Sequence, residues 1–464
     1  MLQRLRVGKR FAAAVLAVCA SLACGLSAAS AALCLPPGVG SAGRLAGAAP
    51  STGALNVYLD GSGSMAGYAA GATQDMRPLG DLIATLTQSA RTRGVHIQFS
   101  AFGKSIRPIG GGPAGVDRYA TVSAYRCQGC DNQESHIDAV LRQIADGDRA
   151  GVSVVVTDFW LDNRSFAGSP QVALGGPLSE ILGQGRTIGV MGVRSPFKGR
   201  IYDFPSGGMY ADATERPLFV LLIGGSADVA ATYAALVQSS SPALSSSLNH
   251  YSVFSTHVDG AWVSARALSP VGGGVTRAVS IAPERLPNVQ QFALRRDTAA
   301  LQRGGIEGVF DAGGAMPVGA VWSGPLKAST RVWRLRDEGS LAGCGPQTWT
   351  ELNSLTGAWL PAGGARARFV LSPATSPLMP GGGIYFVAGY LGVKRLDAPN
   401  SADAWMRDWS FNASQEASLR SRRARFFPTL NLADLAGAME SSLARAAPNG
   451  IDTVAVGFVV KVYN

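Results

Sequence analysis

From Ala54 to Gln238, apolar runs of strand length alternate with segments of helical periodicity. The run "VSVVVTDF", Val152 to Phe159, restricts the fold most. It shows no polar alternation, as expected of a strand covered on both faces. "ALNVYL", "VHIQFSAF", "RTIGVMGV" and "RPLFVLLIG" read as further strands, and "SIRPI" as a short edge strand. Between them, "DLIATLTQSARTRG" puts Leu82, Ile83, Leu86 and Ala90 on one helical face and stops at Gly94. "SHIDAVLRQIADG" gathers Ile137, Val140, Leu141 and Ile144 in the same way, and "LSEILGQG" and "SADVAATYAALVQ" are helical. Repeated strand–helix alternation predicts an α/β unit with a doubly wound, mainly parallel sheet.

The pattern changes after Gln238. "SSSPALSSS", Ser239 to Ser247, reads as a boundary, and a chain of 464 residues exceeds one ordinary core. Beyond it, "HYSVFSTHV", "TRAVSIA", "VQQFALRR", "STRVWRLR", "ARARFVLS", "GIYFVAGYLGV" and "TVAVGFVVKVYN" are short strand-like runs divided by glycine and proline. They predict a β-rich, sandwich-like domain over 248–464. One late helix, "NLADLAGAMESSLARAA", precedes the last strand, with Asn431 as its cap and Leu432, Leu435 and Met439 as its buried face.

The first 31 residues read as a signal peptide. Arg4, Arg6, Lys9 and Arg10 precede the apolar stretch Phe11 to Leu26, and Ala29-Ser30-Ala31 offers a small-x-small cleavage site. Residues 32–51, rich in proline, glycine and alanine, form a tether, and the unit 52–238 follows. The expected location is the periplasm or the cell surface, with no membrane span once the signal is removed. A lipid-modified Cys24 fits poorly with the preceding "SLA". The leader holds four basic and no acidic residues, so its loss lowers the net charge from +10 to +6. The densest basic run, Arg420, Arg422, Arg423 and Arg425, has no interleaved aromatic surface and reads as a solvated helix face, which argues against nucleic acid as partner. Cys34, Cys127, Cys130 and Cys344 remain in an oxidising compartment; Cys127 with Cys130 and Cys34 with Cys344 is the simplest pairing.

In such a sheet ligands collect at the carboxyl ends of strands. "NVYLDGSGSMAGY" ends its apolar run at Asp60 and follows it with Ser62 and Ser64. Asp158 ends "VVVTD", and Ser135 lies in the loop that opens the "SHIDAVLRQI" helix. Three loops therefore offer two carboxylates and three hydroxyls. A plain solvated turn at Asp60 to Ser64, and Ser135 as a helix cap in a box with Asp138, are the structural alternatives.

"DGSGSM" after an apolar strand, a later hydroxyl before an apolar helix and "TD" at another strand end resemble a von Willebrand factor type A domain over about Ser51 to Gln238. The resemblance implies a metal-ion-dependent adhesion site. It carries Asp60, Ser62, Ser64, Ser135 and Asp158 over as ligands. Ser135 stands where the family usually has threonine, and Glu134 or Asp131 remain alternatives for that loop. Phe159 stands where the family commonly has glycine, a change placed at the rim of the site. An all-oxygen set suits Mg2+, with Mn2+ or Ca2+ as alternatives. The function implied is non-enzymatic: docking of a protein partner that offers a carboxylate to the cation. Two other readings are a metal-dependent hydrolase with His136 as base, and a thiol–disulfide exchange protein using Cys127 and Cys130.

Overall fold

The computed structural model describes residues 53–126, 134–147, 151–160, 170–204 and 206–256, Leu35 and Pro36, and the elements named below between 268 and 463. Residues 1–31, most of the tether, Cys34, Cys127, Cys130, Asp131 and Cys344 lie outside these.

The first elements are β1 (Leu55–Asp60), α1 (Ala66–Gly71), α2 (Pro78–Arg93), β2 (Ile97–Phe102), β3 (Ile106–Pro108), α3 (Gly112–Asp117), α4 (Ile137–Asp146), β4 (Val152–Thr157), α5 (Pro170–Gly183), β5 (Thr187–Ile201), β6 (Met209–Gly224), α6 (Ser226–Val237) and β7 (His250–Phe254). The strands form one sheet in the order β3-β2-β1-β4-β6-β5-β7. Strands β2, β1 and β4 make a parallel centre; β5 runs with them, and β3, β6 and β7 run against.

Strands β1 and β4 are buried on both faces, which explains their apolar runs, whereas β2 is mostly half-buried. Leu55, Val57 and Leu59 face α1, α2 and α6, whereas Tyr58 faces α4 and α5. Helix α2 buries Leu79, Leu82, Ile83, Leu86 and Ala90 and ends at Gly94, whose φ of 64° needs the freedom of glycine. Helix α1 lies so close to β5 that a Cβ on Gly71 would sit 2.6 Å from the backbone of Phe197.

Strands β5 and β6 form a long antiparallel hairpin with no helix between them. Thr157, the last residue of β4, pairs with Phe219, and Phe219 pairs with Gly192. Residues 209–218 of β6 and 193–201 of β5 therefore project past the carboxyl end of β4. They form a wall beside the loops that follow β1 and β4.

The later chain supplies β8 (Leu268–Val271), β9 (Val275–Arg277), β10 (Gln290–Arg295), β11 (Gly305–Asp311), β12 (Leu326–Leu335), β13 (Trp349–Leu352), β14 (Ala358–Pro361), β15 (Arg366–Leu371), β16 (Gly383–Val393), α7 (Ala404–Asp408), β17 (Ser410–Phe411), α8 (Glu416–Ser421), β18 (Thr429–Leu430), α9 (Leu432–Ala446) and β19 (Ile451–Tyr463). Two sheets, β13-β12-β16-β19-β10-β9 and β14-β15-β11-β8, share a core in which Leu268 and Ile306 of one meet Phe292, Phe458 and Val460 of the other. Within these two sheets all pairings are antiparallel except β10 with β19; β17 and β18 form a separate parallel pair.

The boundary read at 238–248 does not separate two cores. His250–Phe254, read from sequence as the first strand of the β-rich domain, is instead the edge strand β7 beside β5. The serine-rich stretch is anchored rather than loose: Ser241 Oγ donates to Asp81 Oδ2 at 2.7 Å, and Ala243 and Leu244 are buried. Residues 403–421 and 425–447 then return to the first sheet. Trp405, Met406, Trp409, Leu432, Leu435, Ala436, Met439 and Leu443 share a core with α4, α5 and β6. Trp405 Nε1 donates to Ser252 Oγ of β7 at 2.7 Å. Helix α9 has the buried face expected of it, but Asn431 does not cap it with its side chain; its backbone is left-handed, with φ of 58°. Among the described residues, no helix is long and apolar enough to cross a membrane.

Candidate metal centre

Asp60 is the last residue of β1, and Asp158 directly follows β4, its parallel neighbour. The register Leu59↔Val156 sets Asp60 beside Thr157 at the same edge. Asp60, Ser62, Ser64, Ser135, Thr157 and Asp158 are all buried, so the solvated-turn alternative does not hold.

Asp60 is held on both oxygens. Its Oδ1 accepts the Ser62 N–H at 2.9 Å, and its Oδ2 accepts Ser135 Oγ at 2.9 Å and Thr157 Oγ1 at 2.7 Å. Ser62 Oγ and Ser64 Oγ lie 2.9 Å apart. Among the positions left open in the middle loop, Ser135 is the one bonded to Asp60. Glu134 pairs with His136, carboxylate to Nε2 at 2.8 Å, and Asp131 lies outside the described residues. Helix α4 carries no side-chain N-cap bond, so the capping role considered for Ser135 is not what its hydroxyl does.

Asp158 is held on one oxygen only. Oδ1 accepts the Trp160 N–H at 3.0 Å, whereas Oδ2 is buried and, among the described residues, has no hydrogen-bond partner. Burial first, and then the charge of Asp60, push its carboxyl up to about 7. Burial also raises Asp60, opposed by its hydrogen bonds to Ser62, Thr157 and Ser135. The other charges acting on Asp158 are Arg216 and Asp203, a fully buried pair 2.7 Å apart. Three carboxylates thus face one guanidinium, and full ionisation would leave two negative charges buried. Such an excess is costly unless a cation offsets it.

The backbone after Asp158 is unusual. Phe159 has φ of 58°, left-handed for a residue that is not glycine. Its N–H donates to Thr157 Oγ1 at 3.1 Å, and its ring packs on Phe219 with centroids 4.8 Å apart. Phe159 is therefore a core residue, not the rim residue expected; Trp160, which lines the adjoining recess, occupies the rim. The strained turn fixes the loop that aims Asp158.

These residues fit a hard divalent cation. The donors are all oxygens, and an orphaned carboxylate oxygen sits among them. Hydrogen bonds join Ser62 and Ser135 to Asp60 and Ser64 to Ser62, and Asp158 follows the adjacent strand end. Among the described residues, no cluster of three His, Cys, Asp or Glu side chains forms, so hydroxyls are essential to such a site. Sequence reasoning missed Thr157, Arg216 and Asp203. Thr157 was visible as the first letter of "TD", and Arg216 as a charge opening the apolar run "RPLFVLLIG". No family model, curated protein or solved structure matches the chain.

Proposed function

We propose that this chain is an exported, non-enzymatic binding protein whose seven-stranded unit is von Willebrand factor type A-like. In this reading it docks a protein partner through a divalent cation of the Mg2+ type. One observation carries it: Asp60 and Asp158 are buried at the carboxyl ends of adjacent parallel strands, ringed by hydroxyls, with Asp158 Oδ2 lacking a donor. The parallel β2-β1-β4 centre, the antiparallel edge strand β3 and helices on both faces also support the resemblance. So does Phe159, which keeps a glycine-like conformation where the family commonly has glycine.

Asp60, Ser62, Ser64, Ser135 and Asp158 would hold the cation. When bound, it would supply an electrophilic centre for a carboxylate of the partner. Thr157 and Ser135 fix the Asp60 carboxylate in place, and the Phe159 turn fixes Asp158. Among the described residues, the carboxylates within ion-pair distance of the His136 ring are Glu134 at 2.8 Å and Asp138 at 3.9 Å, not Asp60 or Asp158. That favours docking over hydrolysis.

The test is a pull-down from envelope extract with wild type and Asp158→Asn, in Mg2+ and in chelator. A partner retained only by wild type in Mg2+ is expected. The same partner retained in chelator, or by Asp158→Asn, contradicts the reading.

A further inference from the structure

The projecting hairpin does more than close the sheet. With the loops after β1 and β4 it encloses a recess of about 460 Å³ that reaches Gly63 and Ser64 of the metal loop. Its lining carries three cations, Arg126, Lys198 and Arg200, and four aromatic rings, Tyr125, Trp160, Tyr202 and Tyr210. Lys198 pairs with Asp212 at 3.1 Å. Among the described residues, Arg126 and Arg200 have no carboxylate within ion-pair distance. Arg200 lies over the Tyr202 ring at 5.6 Å, and Trp160 packs on Tyr202 with centroids 5.3 Å apart. Tyr210 is 66 % exposed and Tyr202 38 %. Exposed tyrosines and a half-buried tryptophan beside arginine match the composition of energetic centres in interfaces.

We propose that this recess seats an acidic peptide segment of the partner, with Arg126 and Arg200 as its specificity-determining residues. The inference rests on the docking function proposed above and names the chemistry of the partner. One carboxylate of the segment would reach the cation centre. Neighbouring acidic side chains would pair with Arg126 and Arg200, and their aliphatic stems would pack on Trp160, Tyr202 and Tyr210. Charge complementarity selects this occupant: the recess is basic, and the centre beside it takes an anionic oxygen. The volume suits a few side chains rather than a whole domain. Arginine also forms planar, paired bonds with carboxylates that lysine does not.

The experiment uses the mature chain and a fluorescein-labelled peptide, Gly-Glu-Asp-Glu-Asp-Gly, in polarisation titrations, with Mg2+ binding followed by calorimetry. The expected result is Mg2+-dependent peptide binding that the Gln/Asn version of the peptide lacks. Arg126→Gln with Arg200→Gln is expected to weaken it by about tenfold or more, with Mg2+ binding unchanged. Equal affinity in wild type and the double variant, or equal binding of the Gln/Asn peptide or of hexathymidylate, overturns the inference while leaving the cation reading intact. Arginine-dependent peptide binding that persists in chelator supports the recess and overturns the cation reading instead. Absence of peptide binding by wild type that binds Mg2+ overturns the recess alone.

Discussion

The hydroxyl of Thr157 at the end of β4 donates to Asp60 Oδ2 at the end of β1, 2.7 Å away. Thr157 Oγ1 in turn accepts the Phe159 N–H at 3.1 Å. One side chain thus ties together the loops that follow β1 and β4. Thr157→Val keeps the shape and removes the donor and the acceptor. A hydrogen bond to a buried carboxylate contributes about 1.5–3 kcal/mol. Urea denaturation in chelator is expected to show a loss of that size with an unchanged slope; a loss under about 0.5 kcal/mol, the usual range of inert surface changes, contradicts the role.

Asp158 gives the metal-free protein a pH-dependent stability. Its carboxyl is raised from 3.8 to about 7, so the folded state retains a proton that the unfolded state has lost across that range. The stability this group contributes is complete below 3.8 and is lost as pH rises through about 7. Asp60 is raised in the same direction, and Glu440, raised to about 7 mainly by its burial, adds a slope of the same sign elsewhere. The difference between wild type and Asp158→Asn isolates the site. In chelator, the melting temperature of wild type is expected to fall more steeply between pH 4 and pH 7 than that of the variant, and saturating Mg2+ is expected to remove the excess. Parallel profiles in chelator contradict the assignment.

Two glycines in neighbouring helices respond oppositely to the same substitution. A Cβ on Gly71 would meet Phe197 backbone atoms at 2.6 Å, and backbone does not yield. Gly71→Ala is expected to cost about 1–3 kcal/mol and to push α1 from the hairpin wall. A Cβ on Gly80 in α2 would meet Ala120 Cβ at 3.5 Å and Arg77 Cβ at 4.0 Å, both ordinary contacts. Gly80→Ala is expected to gain about 0.5–1 kcal/mol from helix propensity. Thermal melts of the two variants check the pair; equal shifts would contradict the packing described.

The candidate site's loops were largely legible in the sequence. Asp60, Ser62, Ser64 and Asp158 sit where apolar strands stop, and a strand end is a local signal. Ser135 was legible only as a hydroxyl before a helix, because the bond that distinguishes a cap from a ligand-loop residue spans 75 positions. The partners of β7 were not legible. "HYSVF" pairs equally well, as a pattern, with either sheet; the choice rests on Tyr251 stacked on Tyr233 and Trp405 over His250. The return of α9 was hidden for the same reason: Leu432, Leu435 and Met439 announce a buried face but not what buries it. The antiparallel run of β6 was masked by alternation, since strand–helix order does not record the bare turn between β5 and β6.

That return has a consequence for dissection of the chain. A fragment ending at Phe254 would uncover the face of α5 and β6 that Trp405, Leu435 and Met439 bury. It is expected to bind a hydrophobic dye or aggregate, and the full chain is expected to do neither. In the full chain, Trp405→Ala is expected to cost about 3–5 kcal/mol. Limited proteolysis at 239–247 is expected to be slow, since Ser241, Ala243 and Leu244 are buried there. A monomeric fragment that melts as the full chain does would contradict the shared core.

The central claim is that Asp60 and Asp158 jointly hold one divalent cation, and calorimetric titration of the mature chain with MgCl2 and MnCl2 tests it most directly. The account predicts a single saturable site in wild type. It predicts none in Asp60→Asn or Asp158→Asn, and an affinity about tenfold lower in Ser135→Ala, each with an unchanged circular dichroism spectrum. Wild type without measurable heat for either ion, or Asp158→Asn binding as wild type does, would contradict it.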